Sequence, residues 1–230
     1  MATGVLVIAE SGAGKSTGGR NLDPKETFWI NVANKPLPFK GWKKMYTAVT
    51  DDDPTGGNLS KVNSPMGILY MLDLINNQMP HIKNIVIDDW QYSAAFEFFD
   101  RADEKGFEKF TDIGNGIAQT AKKPAELRDD LTVFFLTHAE ESQDAKGKRK
   151  TKAKTIGKMV DEKLTVEGLF SIVLYGKAKK SKKPEGGMEY VFETQTDGSN
   201  TCKSPMGMFD EAEIPNDLQI VKEAIIKFEQ

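Results

Sequence analysis

Eight consecutive residues concentrate the recognisable chemistry of this chain: Ala9-Glu10-Ser11-Gly12-Ala13-Gly14-Lys15-Ser16. They fit the G-x-x-x-x-G-K-[ST] phosphate loop, except that Ala9 fills the first glycine slot. Gly12 and Gly14 let the backbone curl so that successive N–H groups converge on phosphate oxygens. Lys15 can reach the outer phosphates of a nucleotide, and the Ser16 hydroxyl can ligate Mg2+. The expected nucleotide-binding set is Glu10, Ser11, Gly12, Ala13, Gly14, Lys15, Ser16 and Thr17.

A second constellation is Ile85-Val86-Ile87-Asp88-Asp89, an apolar strand ending in paired acids. Alone, such an ending is a polar exit into a loop. After a phosphate loop it reads as a Walker B strand. Asp88 then faces Ser16 across Mg2+, and Asp89 polarises the attacking water. Glu10 either orders water or sits in solvent. Thr137 and His138 end a further apolar run, LTVFFLT, where a polar γ-phosphate sensor can stand. A hydrogen-bonded strand-end histidine is the plainer reading of His138. Arg20, one turn past the loop, caps or pairs locally.

These residues need a sheet with helices to present them. Short β-branched runs alternate with longer helical patterns, which predicts an α/β fold with a largely parallel sheet. Buried strands are expected at 4–9, 27–32, 84–88, 131–137 and 170–175, with a hairpin strand at 188–193. A helix should follow the glycine loop from about Lys15 and aim its positive end at the anion. Ser64-Pro65 reads as an N-cap and N1 proline opening a helix to about Asn76. Further helices are expected at 93–104 and 107–128, the latter broken near Gly114 and Gly116, with a terminal one at 216–228. Asp51 to Asn58 (DDDPTGGN) is a loop.

With 230 residues and 39% hydrophobic composition, the chain suits one domain spanning 1–230. Its lone Cys202 excludes an internal disulfide, and only two histidines argue against a Cys/His metal module. No apolar run approaches the ~18 residues of a transmembrane helix. The amino-terminal stretch lacks the basic start of a secretory signal, so the cytoplasm is the expected compartment.

The net charge of −3 hides an asymmetry: residues 146–183 hold thirteen Lys and Arg against three acids, +10, leaving −13 elsewhere. Ten of the thirteen form two runs, Lys146, Lys148, Arg149, Lys150, Lys152, Lys154 and then Lys179, Lys180, Lys182, Lys183 at the tip of the later hairpin. Neither run has apolar spacing, so both are expected to be solvated and mobile. Solubility is one explanation; a nucleic-acid backbone surface is the other. Lysine supplies 27 of the 31 basic residues, which favours sequence-independent contact because lysine lacks the bidentate fork that reads guanine.

The segments GVLVIAESGAGKST, NIVIDDW, FFLTHAEE, TIGKMVDEKLTVEGLFSIVLY and ETQTDGSNTCKSPMGMF together resemble a phage and prophage family of small RecA-like P-loop ATPases. That family includes single-strand DNA annealing proteins of the Sak type, and the resemblance spans roughly residues 3 to 215. It implies a RecA-like core with a basic β-hairpin toward the carboxyl terminus, binding ATP with Mg2+ and single-stranded DNA. It further implies strand annealing in phage recombination, a homo-oligomeric ring or filament, and cooperation with a single-strand DNA-binding protein. In such assemblies a neighbour's basic residue completes the site; Lys203, in TCKSP, is the position that matches. One departure stands out: the second strand reads TFWINVANKP, without the catalytic glutamate such enzymes usually carry there. Two competing readings are a nucleotide kinase, which four scattered arginines disfavour, and a nucleotide-dependent regulatory or packaging accessory protein.

Overall fold

The structure, a computed structural model, describes residues 1–143, 147, 149–155, 165–182 and 186–230. Its strands are β1 (Thr3–Ala9), β2 (Thr27–Asn31), β3 (Leu59–Ser60), β4 (Asn84–Asp88), β5 (Thr132–Gln143), β6 (Arg149–Ala153), β7 (Ile172–Lys180), β8 (Met188–Glu193) and β9 (Glu213–Pro215). The helices are α1 (Trp42–Met45), α2 (Pro65–Gln78), α3 (Gln91–Asp100), α4 (Glu108–Lys122) and α5 (Leu218–Glu229). One sheet runs β3-β2-β4-β5-β1-β7-β8-β9, and β6 pairs with the far end of β5. The strands from β3 to β7 are parallel; β8, β9 and β6 are antiparallel additions. The predicted α/β fold, with a mostly parallel sheet flanked by helices, is therefore present.

The continuous apolar runs follow from burial on both faces, since successive strand side chains point to opposite sides. Leu6, Ile8, Phe28, Ile30, Ile85, Ile87, Val133 and Phe135 pack under α2, α3 and α4. Val5, Val7, Trp29, Val86, Phe134 and Leu136 pack on the other face, against Leu218, Val221 and Ile225 of α5. Ser64 caps α2 as its sequence predicts, accepting from the Gly67 N–H at 3.1 Å. No helix among the described residues is long and apolar enough to cross a membrane.

Four expectations need correction. The helix after the glycine loop is only a 3-10 helix, Ser16–Asn21. Its Gly18 and Gly19 lie so close to Asn216 and Trp29 that a Cβ would approach them to 2.8 and 2.7 Å, and Leu22 is already extended. Second, α4 is continuous through Gly114 and Gly116. A Cβ at Gly116 would meet Pro65 at 2.9 Å, so that glycine brings α4 onto α2 rather than breaking it. Helix α4 ends at Lys122, and Pro124 belongs to a 3-10 turn, Lys123–Glu126. Third, 149–153 is a strand, not a solvated loop. Fourth, Lys179 and Lys180 lie within β7, paired to β8, rather than at the hairpin tip.

Candidate functional site

The carboxyl ends of β1, β2, β4 and β5 lie at one edge of the sheet, and β1 lies between β5 and β7. A crevice opens outside these strand ends, where ligands of open α/β sheets bind. The loop after β1 fills it. Gly12 and Gly14 both adopt φ +81°, a left-handed backbone that disfavours other residues. A Cβ on Gly14 would also crowd the Tyr190 ring at 3.0 Å. Ala13 N–H donates to the Glu10 carbonyl at 3.2 Å, which closes the turn. The N–H groups of Gly14 and Lys15 have no backbone acceptor among the described residues. Asn216, at the β9–α5 junction, clasps the loop by donating to the Ala13 carbonyl at 3.4 Å. Arg20 donates to the Thr17 carbonyl at 3.1 Å, the local pairing its position predicts, and also to the distant Asn216 carbonyl at 2.8 Å.

Facing this loop is the acidic end of β4. Ser16 Oγ donates to Asp88 Oδ1 at 2.8 Å, joining the two residues expected to share Mg2+. Asp89 has φ +59°, a rare conformation for a residue with a side chain. The next residue stabilises that turn: the Trp90 N–H donates to the Leu136 carbonyl at 2.9 Å, and its indole N–H to Thr120 at 3.0 Å. The turn aims the buried Asp89 carboxylate into the crevice. There Lys15 Nζ lies 3.9 Å from Oδ1, His138 Nε2 lies 3.2 Å from Oδ1, and Lys35 Nζ contacts Oδ2.

The two neighbouring acids titrate in opposite directions. Burial, reinforced by the Asp89 charge, pushes Asp88 up to about 6 despite the Ser16 hydrogen bond. Burial acts the same way on Asp89, but the His138 and Lys35 contacts and the Lys15 charge outweigh it and hold Asp89 at about 2. Burial lowers Lys15, against the opposing pull of Asp89 and Asp88. Burial lowers Lys35 as well, but its contact with Asp89 and the charges of Asp89, Asp88 and Tyr92 outweigh that and hold it above its ordinary value.

The crevice encloses about 700 Å³. That is within the range of small-ligand sites, ~300–1,000 Å³. Of the sequence-predicted residues, Ser11, Gly12, Gly14, Lys15, Ser16, Thr17, Asp88, Asp89 and His138 line it. Ala13 is buried behind the loop. Glu10 is exposed and outside the crevice lining, where its charge acts on Tyr175 instead. Lys203 is distant in register: it bridges Val173 near the start of β7, whereas the loop follows Ala9, which pairs with Gly176.

Sequence reasoning missed Lys35, Tyr190 and Asn216. Lys35 had a faint signal, a lysine between asparagine and proline directly after a buried strand. Tyr190 and Asn216 reach the loop from 170 or more residues away, and nothing local in the sequence marks them.

The residues present fit a magnesium nucleotide: glycine-loop N–H groups, a buried lysine, and a hydroxyl paired with a carboxylate. No group of three or more His, Cys, Asp or Glu suited to a metal occurs among the described residues. The Ser16 hydroxyl and Asp88 carboxylate together suit Mg2+, which takes one or two protein oxygens and completes its shell with phosphate and water.

The described parts of both basic runs lie beyond this edge. Strand β5 continues past His138 into an arm with β6, and β7 continues past Gly176 into the hairpin with β8. Lys146, Lys148 and Lys183 lie outside the described residues. Arg149 pairs with Glu141 at 3.6 Å, Lys152 with Glu140 at 3.0 Å, and Lys179 contacts Glu213. Lys150, Lys154, Lys180 and Lys182 are exposed and belong to no ion pair with a described residue. The described cations are thus partly neutralised within the fold. Comparison with protein-family models and with curated proteins finds no match for this chain.

Proposed function

We propose that this chain is an ATP-binding, Mg2+-dependent RecA-like ATPase that acts on single-stranded DNA and promotes strand annealing. One observation carries the reading: Lys15 and Ser16 of the curled glycine loop converge on Asp88 and Asp89 at the end of a separate strand. A strand order with β5 between β1 and β4 supports it, because that order puts His138 between loop and acid pair, where a γ-phosphate sensor belongs. Mg2+, held by Ser16 and Asp88, would supply charge neutralisation between the outer phosphates. The chain's own groups do the rest. The loop N–H groups and Lys15 orient the phosphates, and Asp89 is the group available to align water.

The DNA part rests on position and charge. Basic arms leave the sheet on both strands that flank β1, so a polyanion lying across them would pass over the glycine loop. Lys150, Lys154, Lys180 and Lys182 are the described residues suited to that contact, through phosphate rather than base. Lys203, far from its own loop, suits a contribution to a neighbouring subunit in a ring or filament.

A second reading is favoured by the state of Asp89. Held near 2 and ringed by cations, it is a poor general base, and Asn31 stands where β2 would offer a glutamate. ATP would then act chiefly as a conformational ligand with slow turnover, as in a regulatory or packaging accessory protein. A nucleotide kinase is less favoured, since Arg20, the crevice's one arginine among the described residues, is committed to backbone carbonyls.

ATP hydrolysis with and without single-stranded DNA, across a salt series and with Lys15→Ala as control, tests this. Stimulation that fades with salt and vanishes in Lys15→Ala is expected. No DNA binding at low salt would remove the DNA function.

A further inference from the structure

Lys35 lines the crevice and has no role in the proposed reaction. Its backbone is fixed: the Asn31 side chain donates to the Lys35 carbonyl at 2.6 Å and accepts from the Lys35 N–H at 3.2 Å. Asn34 before it turns through φ +50°, and Pro36 follows. Its side chain, by contrast, is 57% exposed and reaches Asp89, whose side chain is 2% exposed. Lys15 and Lys35 therefore approach one carboxylate from opposite oxygens. Two ammonium groups and His138 thus meet at one buried carboxylate, at the point where the outermost phosphate of a nucleotide seated on Lys15 would arrive. A phosphate oxygen is the natural competitor for the more exposed and less desolvated of the two cations.

Resting on the nucleotide-site reading, we propose that Lys35 is a γ-phosphate-binding residue whose ammonium exchanges its contact with Asp89 for the terminal phosphate, so that the site distinguishes triphosphate from diphosphate. The exchange has a second consequence. While Lys35 sits on Asp89, that carboxylate is occupied; once Lys35 moves to phosphate, Asp89 Oδ2 is free to accept a hydrogen bond from water. Capture of a triphosphate and release of the water-aligning acid become one event, made by a residue in the same chain. A pinned backbone carrying a long, mobile cation suits such an exchange, because only side-chain torsions have to change.

The test is calorimetric binding of ADP and of a non-hydrolysable ATP analogue, each with Mg2+, to the wild type, Lys35→Met and Lys35→Arg. A charge-assisted contact contributes ~1.5–3 kcal/mol, or roughly 10- to 100-fold in affinity. Lys35→Met should lose at least about tenfold for the triphosphate analogue while ADP affinity stays within about twofold. Lys35→Arg should recover most of the loss. Equal affinities in wild type and Lys35→Met, or a parallel loss for both nucleotides, would overturn the assignment and leave the nucleotide site standing. A wild type that binds neither nucleotide would overturn the site reading itself, and Lys35 with it. Because Lys35 is exposed and covers no core, circular dichroism of Lys35→Met should match the wild type.

Discussion

Asp88 and Asp89 are adjacent and chemically identical, yet the fold holds one near 6 and the other near 2. Burial raises both acids, and the charges of Lys15 and Lys35 act on both. The direct contacts from His138 and Lys35 pull Asp89 down, whereas Asp88 has only the Ser16 hydroxyl as a direct partner and also feels the Asp89 charge. In the nucleotide-free protein the pair therefore pulls stability in two directions. Asp88, raised above its unfolded value, costs stability as pH rises from about 4 through 6. Asp89, depressed, contributes stability that is lost as pH falls from about 4 toward 2. Asp88→Asn keeps a hydrogen-bonding side chain beside Ser16 and removes the buried charge. Urea unfolding at pH 7.5 should show the nucleotide-free variant more stable by ~2 kcal/mol, with the gain shrinking toward pH 4. The same variant should lose magnesium-nucleotide affinity, a trade of binding for stability. Most of this site was legible, because a phosphate loop is local and its chemistry is fixed by residue type. Lys35 was not, since only the Asn31 clasp and the left-handed Asn34 turn it back toward Asp89.

Among the elements, the segment after the glycine loop departs most from expectation. A helix from about Lys15 was expected because strand–loop–helix is the usual setting for such a loop. Instead Gly18 and Gly19 let a 3-10 turn press against Trp29, which packs with Phe39 and Tyr46 at ring-centroid distances of 5.9 and 5.8 Å. Gly19→Ala separates the two views. Helix propensity alone favours alanine by ~1 kcal/mol. The structure places a Cβ 2.7 Å from the buried Trp29 ring, so a net loss of ~1–3 kcal/mol is expected. A raised melting temperature for Gly19→Ala would contradict the packing described here. The buried strands were legible, because apolar runs bounded by turn residues have few alternatives. Strands β3 and β9 were not: two or three residues carry no periodicity, and only their neighbours make them strands. Strand β6 was hidden for another reason. Alternating lysines look solvated until Glu140 and Glu141 of β5 are known to lie opposite.

At the scale of the whole molecule, a chain of net charge −3 carries, among its described residues, basic side chains on two arms beyond the sheet edge that holds the glycine loop. Their uneven distribution was readable from composition, but their placement on either side of β1 required the strand order. That placement links a polyanion surface to an anion-binding crevice, and everything proposed here depends on the crevice taking a nucleotide. Equilibrium binding of a fluorescent ATP analogue, with and without Mg2+, to the wild type and to Lys15→Ala tests it most directly. Saturable binding strengthened by Mg2+, displaced by unlabelled ATP and reduced at least about tenfold in a folded Lys15→Ala is the predicted result. Binding that Lys15→Ala leaves unchanged, or no binding by the wild type, would contradict it.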